Sequence, residues 1–517
     1  MKPKPIVNNE IKQWHPYNKP YQTDACYRGV ANLLLKSFSY LEDEFDNNTN
    51  EIIRRSAIVL THYLEDIVSD CGIWRAYSGL CREWYDLPVP LYHQNEEYFA
   101  DEPSLNAVRH MIWCVVSDVT DQLVFADANV LDEMAHLAYE ILEEVYEEIP
   151  INEQLAEDMA ALLEKAATDF EALRYMLKWL YRDCYLIAGK KNEEMLSNQI
   201  EAILQAADEE NHLDISDSTA FYLAFTSCIF KYKIGPLACY PKDYLAALMR
   251  TKGMEQEAAE VDGIEIIDMG AYKINHAPSE QLTATENRLP ENWLTLTRTN
   301  GRQIEIKAEE LNLPEGKWKE VEGITASSFV CYRGEWHLNG ILMTLSDIEK
   351  TWKELCEKDP DYMQPGTATL TAQDMLKRTE GRQIAYFADR NEMKVFLEQK
   401  LQFPHHLLSI VDAHKGNLPV IFIDPEEAKH CLQFFYGFSP YIAAPDNPFY
   451  DKAEAQKHAI DFLWDAESVT THAVNYLLDH DYLPDLYDDE LLSRFSTREE
   501  KRHDIDFLMR FHRRKDY

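Results

Sequence analysis

Apolar residues recur at a helical period over most of the first half of the chain. Between Glu51 and Cys71 the positions Ile52, Ser56, Val59, Leu60, Tyr63, Leu64, Ile67 and Cys71 line up on one face of a helix. Similar stripes run over Leu105–Val119, Val130–Ile149, Leu173–Ile187, Met195–Ala207, Phe221–Phe230 and Tyr244–Met254, with Pro or Gly at the breaks, as in Pro88-Val89-Pro90 and Gly235-Pro236. Near Asp262 the period changes. Ile264–Ile267, Trp293–Thr297, Gln303–Lys307 and Ile324–Tyr332 are short, β-branched or aromatic, and read as strands; Asn300-Gly301 supplies a hairpin turn between two of them.

Beyond a helix at Ser346–Glu357, the apolar runs Ile384–Ala388 and Val420–Ile423 read as strands. Each is followed by a helical stretch, Asn391–Lys400 and Glu426–Phe435, which suggests a small α/β unit. Lys452–Trp464, Glu467–Leu478 and Thr497–Arg514 return to helix. The prediction is an α+β fold with a mainly helical N-terminal domain over 1–262. A mixed α/β C-terminal domain with a small sheet and C-terminal helices follows over 263–517.

Charge adds a surface property. The chain has 517 residues, 51 Lys and Arg against 90 Asp and Glu, and a formal net charge of −39. Between Arg109 and Lys165 there is no Lys or Arg and there are 14 acidic residues. Such a surface repels phosphate backbones and anionic lipid, so generic nucleic-acid and membrane binding are not expected. No apolar run reaches membrane-spanning length and no signal-peptide pattern opens the chain, so a cytoplasmic location is expected. The ten cysteines form no CxxC, and Cys71, Cys114 and Cys228 lie within helical patterns as small buried hydrophobes.

Candidate chemistry is sparse. Glu133 and His136 have the ExxH spacing of carboxylate-bridged metal pairs, yet on a helical wheel Val130, Met134, Leu137, Ile141 and Val145 form the buried stripe. Glu133, His136, Glu140, Glu144 and Glu147 fall opposite and read as a solvated acidic face. Glu209/His212 and Glu427/His430 share the spacing without the setting. His62, Glu65 and Asp66 invite a metal or general-base reading, but His62 lies off the apolar stripe and is expected at the surface, with Asp70 a buried polar partner. Asp479–Glu490 resembles a Ca²⁺ loop but has Leu483 at a ligand position and Pro484 at the glycine turn. GxGxxG, GxxxxGK[ST], GxSxG and HExxH are absent. No cofactor and no metal site is expected. In the C-terminal helix Ile505, Phe507, Leu508 and Phe511 are expected to dock, leaving its arginines to the chain's own acids.

Four segments, His15-Pro16-Tyr17 with Thr23-Asp24, Gly334-Glu335-Trp336-His337-Leu338-Asn339-Gly340, Pro445-Asp446-Asn447-Pro448-Phe449-Tyr450-Asp451, and Tyr482-Leu483-Pro484-Asp485, together resemble a family of large bacterial proteins of unknown function. The resemblance implies a bacterial cytoplasmic protein and carries no catalytic residue.

In the first of the two longer segments, strand alternation puts Trp336 and Leu338 on one face and Glu335, His337 and Asn339 on the other. In the second, Asp446-Asn447 reads as a turn leading to an N-cap at Asp451. Glu335, Trp336, His337, Asn339, Asp446, Asn447 and Asp451 are therefore the candidate binding residues. The expected function is a protein-binding or regulatory module with another protein as partner. The alternative is a hydrolase or other enzyme with its site in the C-terminal half.

Overall fold

The computed structural model describes the chain except residues 1–2, 42–47, 94–97, 123, 212–214, 277–291, 312–322, 346–351, 355, 357–370, 404–407, 409–415, 427–430, 459–461, 463–464, 466–467, 484–496 and 515–516. It forms two compact units, Met1–Pro365 and Gly366–Tyr517. The fold is α+β, helical first and with small antiparallel sheets after.

The first unit holds α1 (Asn8–Lys12), α2 (Asp24–Ser37), α3 (Thr49–Ser69), α4 (Ile73–Tyr85), α5 (Leu105–Thr120), α6 (Asn129–Tyr146), α7 (Glu153–Ala166), α8 (Phe170–Arg182), α9 (Lys190–Asn211), α10 (Asp217–Lys231), α11 (Pro241–Thr251) and α12 (Glu255–Asp262). Helix α3 is the hub: α1, α2, α4, α5, α6 and α7 all pack on it. From Ser56 to Ile67 every residue is buried, polar ones included. It stops at Asp70, whose φ of 53° places it in the left-handed C-cap conformation. Asp70 is exposed, contrary to the expectation of a buried polar partner, because the turn beyond α3 carries it outward to Arg75 and Lys252.

Helix α6 presents Glu133, His136, Glu140, Glu144 and Glu147 to solvent, as the wheel required. The fully buried stripe is Leu131, Met134, Ala135, Ala138 and Leu142, one residue round from the expected one.

A five-stranded antiparallel sheet of order β3-β2-β1-β4-β5 completes the first unit: β1 (Glu265–His276), β2 (Trp293–Arg298), β3 (Gln303–Lys307), β4 (Gly323–Tyr332) and β5 (Glu335–Leu345). The β2–β3 hairpin closes at Asn300-Gly301, with Gly301 at φ 87°. Tyr272, Ile274, Leu294, Leu296, Ile304, Ile306, Phe329 and Leu338 pack together as one apolar core. The Tyr332 hydroxyl donates to the Ala166 and Ala167 carbonyls of α7 and its C-cap, and Asn339 Nδ2 donates to Thr226 O of α10. Helices and sheet thus share one compact unit, although the periodicity changes at Asp262.

The second unit has a three-stranded antiparallel sheet, β6 (Ile384–Tyr386), β7 (Val420–Ile423) and β8 (Leu432–Phe435), in that order. Its helices are α13 (Ala372–Arg378), α14 (Arg390–Gln399), α15 (Lys452–His458), α16 (Thr471–Asp479) and α17 (Arg498–Arg513). The expected helix over Glu426–Phe435 is replaced at its end by β8. Cys431, Leu432 and Phe435 mimic a helical stripe, but β7 is buried at every position and β8 pairs with it from Val420↔Phe435 to Ile423↔Leu432. Most of Ser346–Glu357 and the far end of the Asp479–Glu490 loop lie outside the described residues. In α17, Ile505, Phe507, Leu508 and Phe511 are all buried.

Candidate metal centre

The polar residues of the hub helix meet a strap formed by Trp14–Tyr21. The strap contains two consecutive non-glycine residues in the left-handed region, Tyr17 (φ 58°) and Asn18 (φ 49°), a local cost that persists only where neighbours impose it. Those neighbours are visible. Trp179 Nε1 of α8 donates to Trp14 O at 3.1 Å. Tyr17 stacks on Tyr175 with ring centroids 4.0 Å apart. The Tyr21 hydroxyl donates to Asp158 Oδ2 of α7 at 2.8 Å. The strap thereby pushes His15 inward against α3.

His15 Nε2 lies 2.9 Å from Glu65 Oε2, and His62 Nδ1 lies 3.2 Å from the same oxygen. The side chains of His15, His62 and Glu65 are 2%, 4% and 1% exposed. One ligand-type atom from each falls within 4.8 Å of the others. His15 Nδ1 faces Lys19 O at 3.2 Å, so that nitrogen carries a proton. Glu65 Oε1 accepts from Asn152 Nδ2 at 2.8 Å. A single carboxylate is therefore held on one oxygen by an amide and approached on the other by two imidazoles.

Burial works to lower the basicity of both histidines. For His15 the Glu65 carboxylate overrides burial and the net direction is upward; for His62 burial prevails and the net direction is downward. Burial likewise tends to raise the Glu65 carboxyl, but hydrogen bonds from His15 and His62 leave it far below the usual carboxylate range.

Next to this group Asp66 caps α4. Its Oδ1 accepts from Gly72 N (2.8 Å) and Ile73 N (3.0 Å), and its Oδ2 from Trp74 N (2.6 Å) and the Tyr185 hydroxyl (2.9 Å). Gly72 sits at φ 94° where a Cβ would meet Thr251 Oγ1 at 3.0 Å, so glycine fits both the backbone and the close approach. A cavity of about 20 Å³, the room of one or two waters, is bounded by Trp14, His15, Pro16, His62, Glu65 and Asp66 with Cys71, Ile73, Leu155, Met159, Trp179 and Tyr185. Two buried nitrogens of these lining residues have no hydrogen-bond partner: Trp14 Nε1 and His62 Nε2.

His62 is therefore not the surface residue that the wheel predicts. The wheel assumes a helix with one solvent face, and α3 has none over this stretch. The signal available in the sequence was a His-x-x-Glu-Asp cluster inside an otherwise apolar helix. Its partner His15 lies 50 residues from Glu65 in a motif without a metal-binding spacing.

The residues expected to bind are placed as follows. Glu335 pairs with Lys307 Nζ at 2.7 Å, and the Trp336 ring packs on the sheet core with the Arg302 guanidinium 5.6 Å away. His337 stacks on Phe170 at 4.2 Å and its Nδ1 lies 3.0 Å from Glu310 Oε2, while Asn339 is buried against Thr226. In the second unit Asp446 pairs with Arg382 at 3.2 Å, and Asn447 Nδ2 donates to Ser439 O and Ile442 O, each at 2.7 Å. Asp451 Oδ1 accepts from Ala453 N and Glu454 N at the start of α15, the capping role read from the turn. Trp336 with Leu338, and His337 with Asn339, do take opposite faces. None of the seven borders the His15–His62–Glu65 cavity.

Among the described residues, no helix is long and apolar enough to cross a membrane. Comparison with curated proteins and with solved structures returns no match. The family model described as "Protein of unknown function (DUF3843)" matches residues 6–298 and 368–514, spanning the strap, the helical bundle and most of the second unit, and the chain belongs to that family.

Proposed function

We propose that this protein works through a divalent transition-metal ion held in the helical unit by His15 Nε2, His62 Nδ1 and Glu65 Oε2. The observation that carries the reading is the convergence of two imidazole nitrogens on one carboxylate oxygen, all three side chains buried. In a tetrahedral site with metal–ligand distances of about 2.1 Å, neighbouring ligand atoms lie about 3.4 Å apart. The 2.9 and 3.2 Å separations from Glu65 Oε2 are a few tenths of an ångström short of that spacing, and the three ligand atoms lie within 4.8 Å of one another.

The surroundings of His15 and Glu65 match what such ligands require. A metal-bound histidine fixes its other nitrogen on a carbonyl or carboxylate, as His15 Nδ1 does on Lys19 O, and a ligating carboxylate is itself hydrogen-bonded, as Glu65 is by Asn152. Two imidazoles and one carboxylate suit zinc and its neighbours in the first transition row rather than magnesium or calcium. Three protein ligands leave a coordination position for a further ligand, the pattern of working rather than purely structural zinc sites. On this reading the centre lies in the helical half, outside the C-terminal segments that the sequence favoured.

The test is a calorimetric titration of the chelator-stripped full chain with Zn²⁺, repeated with His15→Ala, Glu65→Gln and the exposed control His136→Ala. One ion per chain is expected, with affinity lowered about 100-fold or more in the first two variants and unchanged in the third. Helical circular dichroism checks that each variant is folded. Absence of binding to the stripped wild-type chain, or undiminished binding in both folded ligand variants, refutes the reading.

A further inference from the structure

We propose that Lys178 is a reactive amine that condenses with small carbonyl compounds bearing an anionic group, the anion being held by Arg182. The site lies between α8 and α10. It is independent of the metal reading, since neither residue borders the His15–His62–Glu65 cavity.

The sequence of α8 puts Arg174, Lys178 and Arg182 on one helix face, each one turn from the next. Like charges at that spacing repel, and the run stands in a chain with 90 acidic residues against 51 basic ones. Rings from α10 alternate with the cations. The Tyr222 ring lies 5.9 Å from the Arg174 guanidinium and 5.7 Å from Lys178 Nζ. The Phe225 ring lies 5.7 Å from Lys178 Nζ and 5.9 Å from the Arg182 guanidinium.

The middle cation differs from its neighbours. Arg174 Nη1 donates to Glu171 Oε1 at 2.8 Å, and Arg182 donates from Nε and Nη2 to Asp183, each at 3.1 Å. Among the described residues, no carboxylate pairs with Lys178. Lys178 is half-buried. Burial pushes its amine below the ordinary lysine range, Arg174 and Arg182 push the same way, and Glu171 opposes them. Desolvation beside other cations is the setting that makes a lysine nucleophilic, because more of the amine carries a free electron pair.

The chemistry open to such an amine is condensation with a carbonyl group. Nζ attacks the carbonyl carbon and a C–N bond forms, while one amine proton passes to the carbonyl oxygen. That oxygen then leaves with the second amine proton as water, and a C=N bond remains. Nothing is oxidised or reduced.

Arg182 sets the preference for an anion. Its side chain is 49% exposed, and among the described residues its Nη1 donates to no protein group. It reaches the same Phe225 ring as Lys178. A guanidinium edge beside a reactive amine suits a carboxylate carried close to a carbonyl, as in short 2-oxo acids and aldehyde acids.

The test exposes the full chain at about pH 7 to limiting glyoxylate or, separately, to propanal. Cyanoborohydride reduces each imine to a stable secondary amine, and peptide mass mapping locates the adducts. Lys307 is the internal reference: it too is half-buried, but Glu335 holds its amine above the ordinary range. Propanal, which is neutral, should label Lys178 about tenfold faster than Lys307. Arg182→Gln should lower glyoxylate labelling of Lys178 about tenfold and propanal labelling far less, with circular dichroism confirming the fold.

Propanal labelling of Lys178 no faster than of Lys307 overturns the reactive amine. Loss of both labels to the same extent in folded Arg182→Gln, or loss of neither, overturns the anion's place on Arg182.

Discussion

His110 makes a sharp test of how burial governs this fold's response to acid. It lies in α5, fully buried, with its Nε2 2.6 Å from the Tyr77 hydroxyl of α4 and 3.6 Å from Cys114 Sγ. Burial pushes its pKa down from 6.5 to about 3, with a hydrogen bond to the Pro90 backbone opposing it. A histidine whose folded value is depressed contributes stability that is intact above its unfolded value and is lost as pH falls toward the folded one, because the unfolded chain takes up the proton first.

Integrating with 6.5 for the unfolded chain and about 3 for the folded one, acidification from about pH 7 to about pH 5 removes about 2 kcal/mol. His110→Gln keeps an acceptor for Tyr77 and removes the titration. Urea unfolding followed by circular dichroism, dominated by the helical unit, should show the wild type losing about 2 kcal/mol more than the variant over that interval. Equal losses in the two proteins would mean that His110 takes up its proton at the same pH in the folded state as in the unfolded chain and that the burial argument fails.

Other expectations follow from the same geometry. Asp66→Ala strands three backbone N–H groups and the Tyr185 hydroxyl, and should cost about 3 kcal/mol or more by denaturant unfolding, whereas Asp70→Asn, which suits the left-handed C-cap and gives up only exposed ion pairs, should change stability by about 0.5 kcal/mol or less. If the ion binds the folded state only, Zn²⁺ at about 100 times its dissociation constant should stabilise the chain by about 2.7 kcal/mol, a gain absent in His15→Ala. Ile306→Ala in the core of the five-stranded sheet should cost about 2 to 5 kcal/mol, measured by thermal unfolding; a change below about 1 kcal/mol would show that the sheet does not rely on that core.

The elements that a sequence reader can see are those with one wet and one dry side. Helix α6, the β2–β3 hairpin and the docked face of α17 were legible because periodicity and turn chemistry alone decide them. Two features were not. Leu432–Phe435 carries a helical spacing of apolar residues, and only the demand of β7 for a neighbour makes it a strand. His62 is off the apolar stripe of α3, and only the enclosure of α3 by six other helices puts it inside. The capping role of Asp451 was legible from local sequence. The meeting of His15 with Glu65 was not, because it depends on Tyr175, Trp179 and Asp158 holding the strap, far along the chain.

That dependence sets an order of events during synthesis. The strap leaves the ribosome before its seat: the groups that hold it are made some 140 to 165 residues later, in α7 and α8. At about 5 to 20 residues per second, the interval is about 10 to 30 s. Through that interval the hub helix has no lid over His62 and Glu65, so the centre closes after the bundle that surrounds it has been translated. A bulky fusion placed immediately before Ile6 would then burden a docking step that follows synthesis of α8 rather than the first pairing of the early helices.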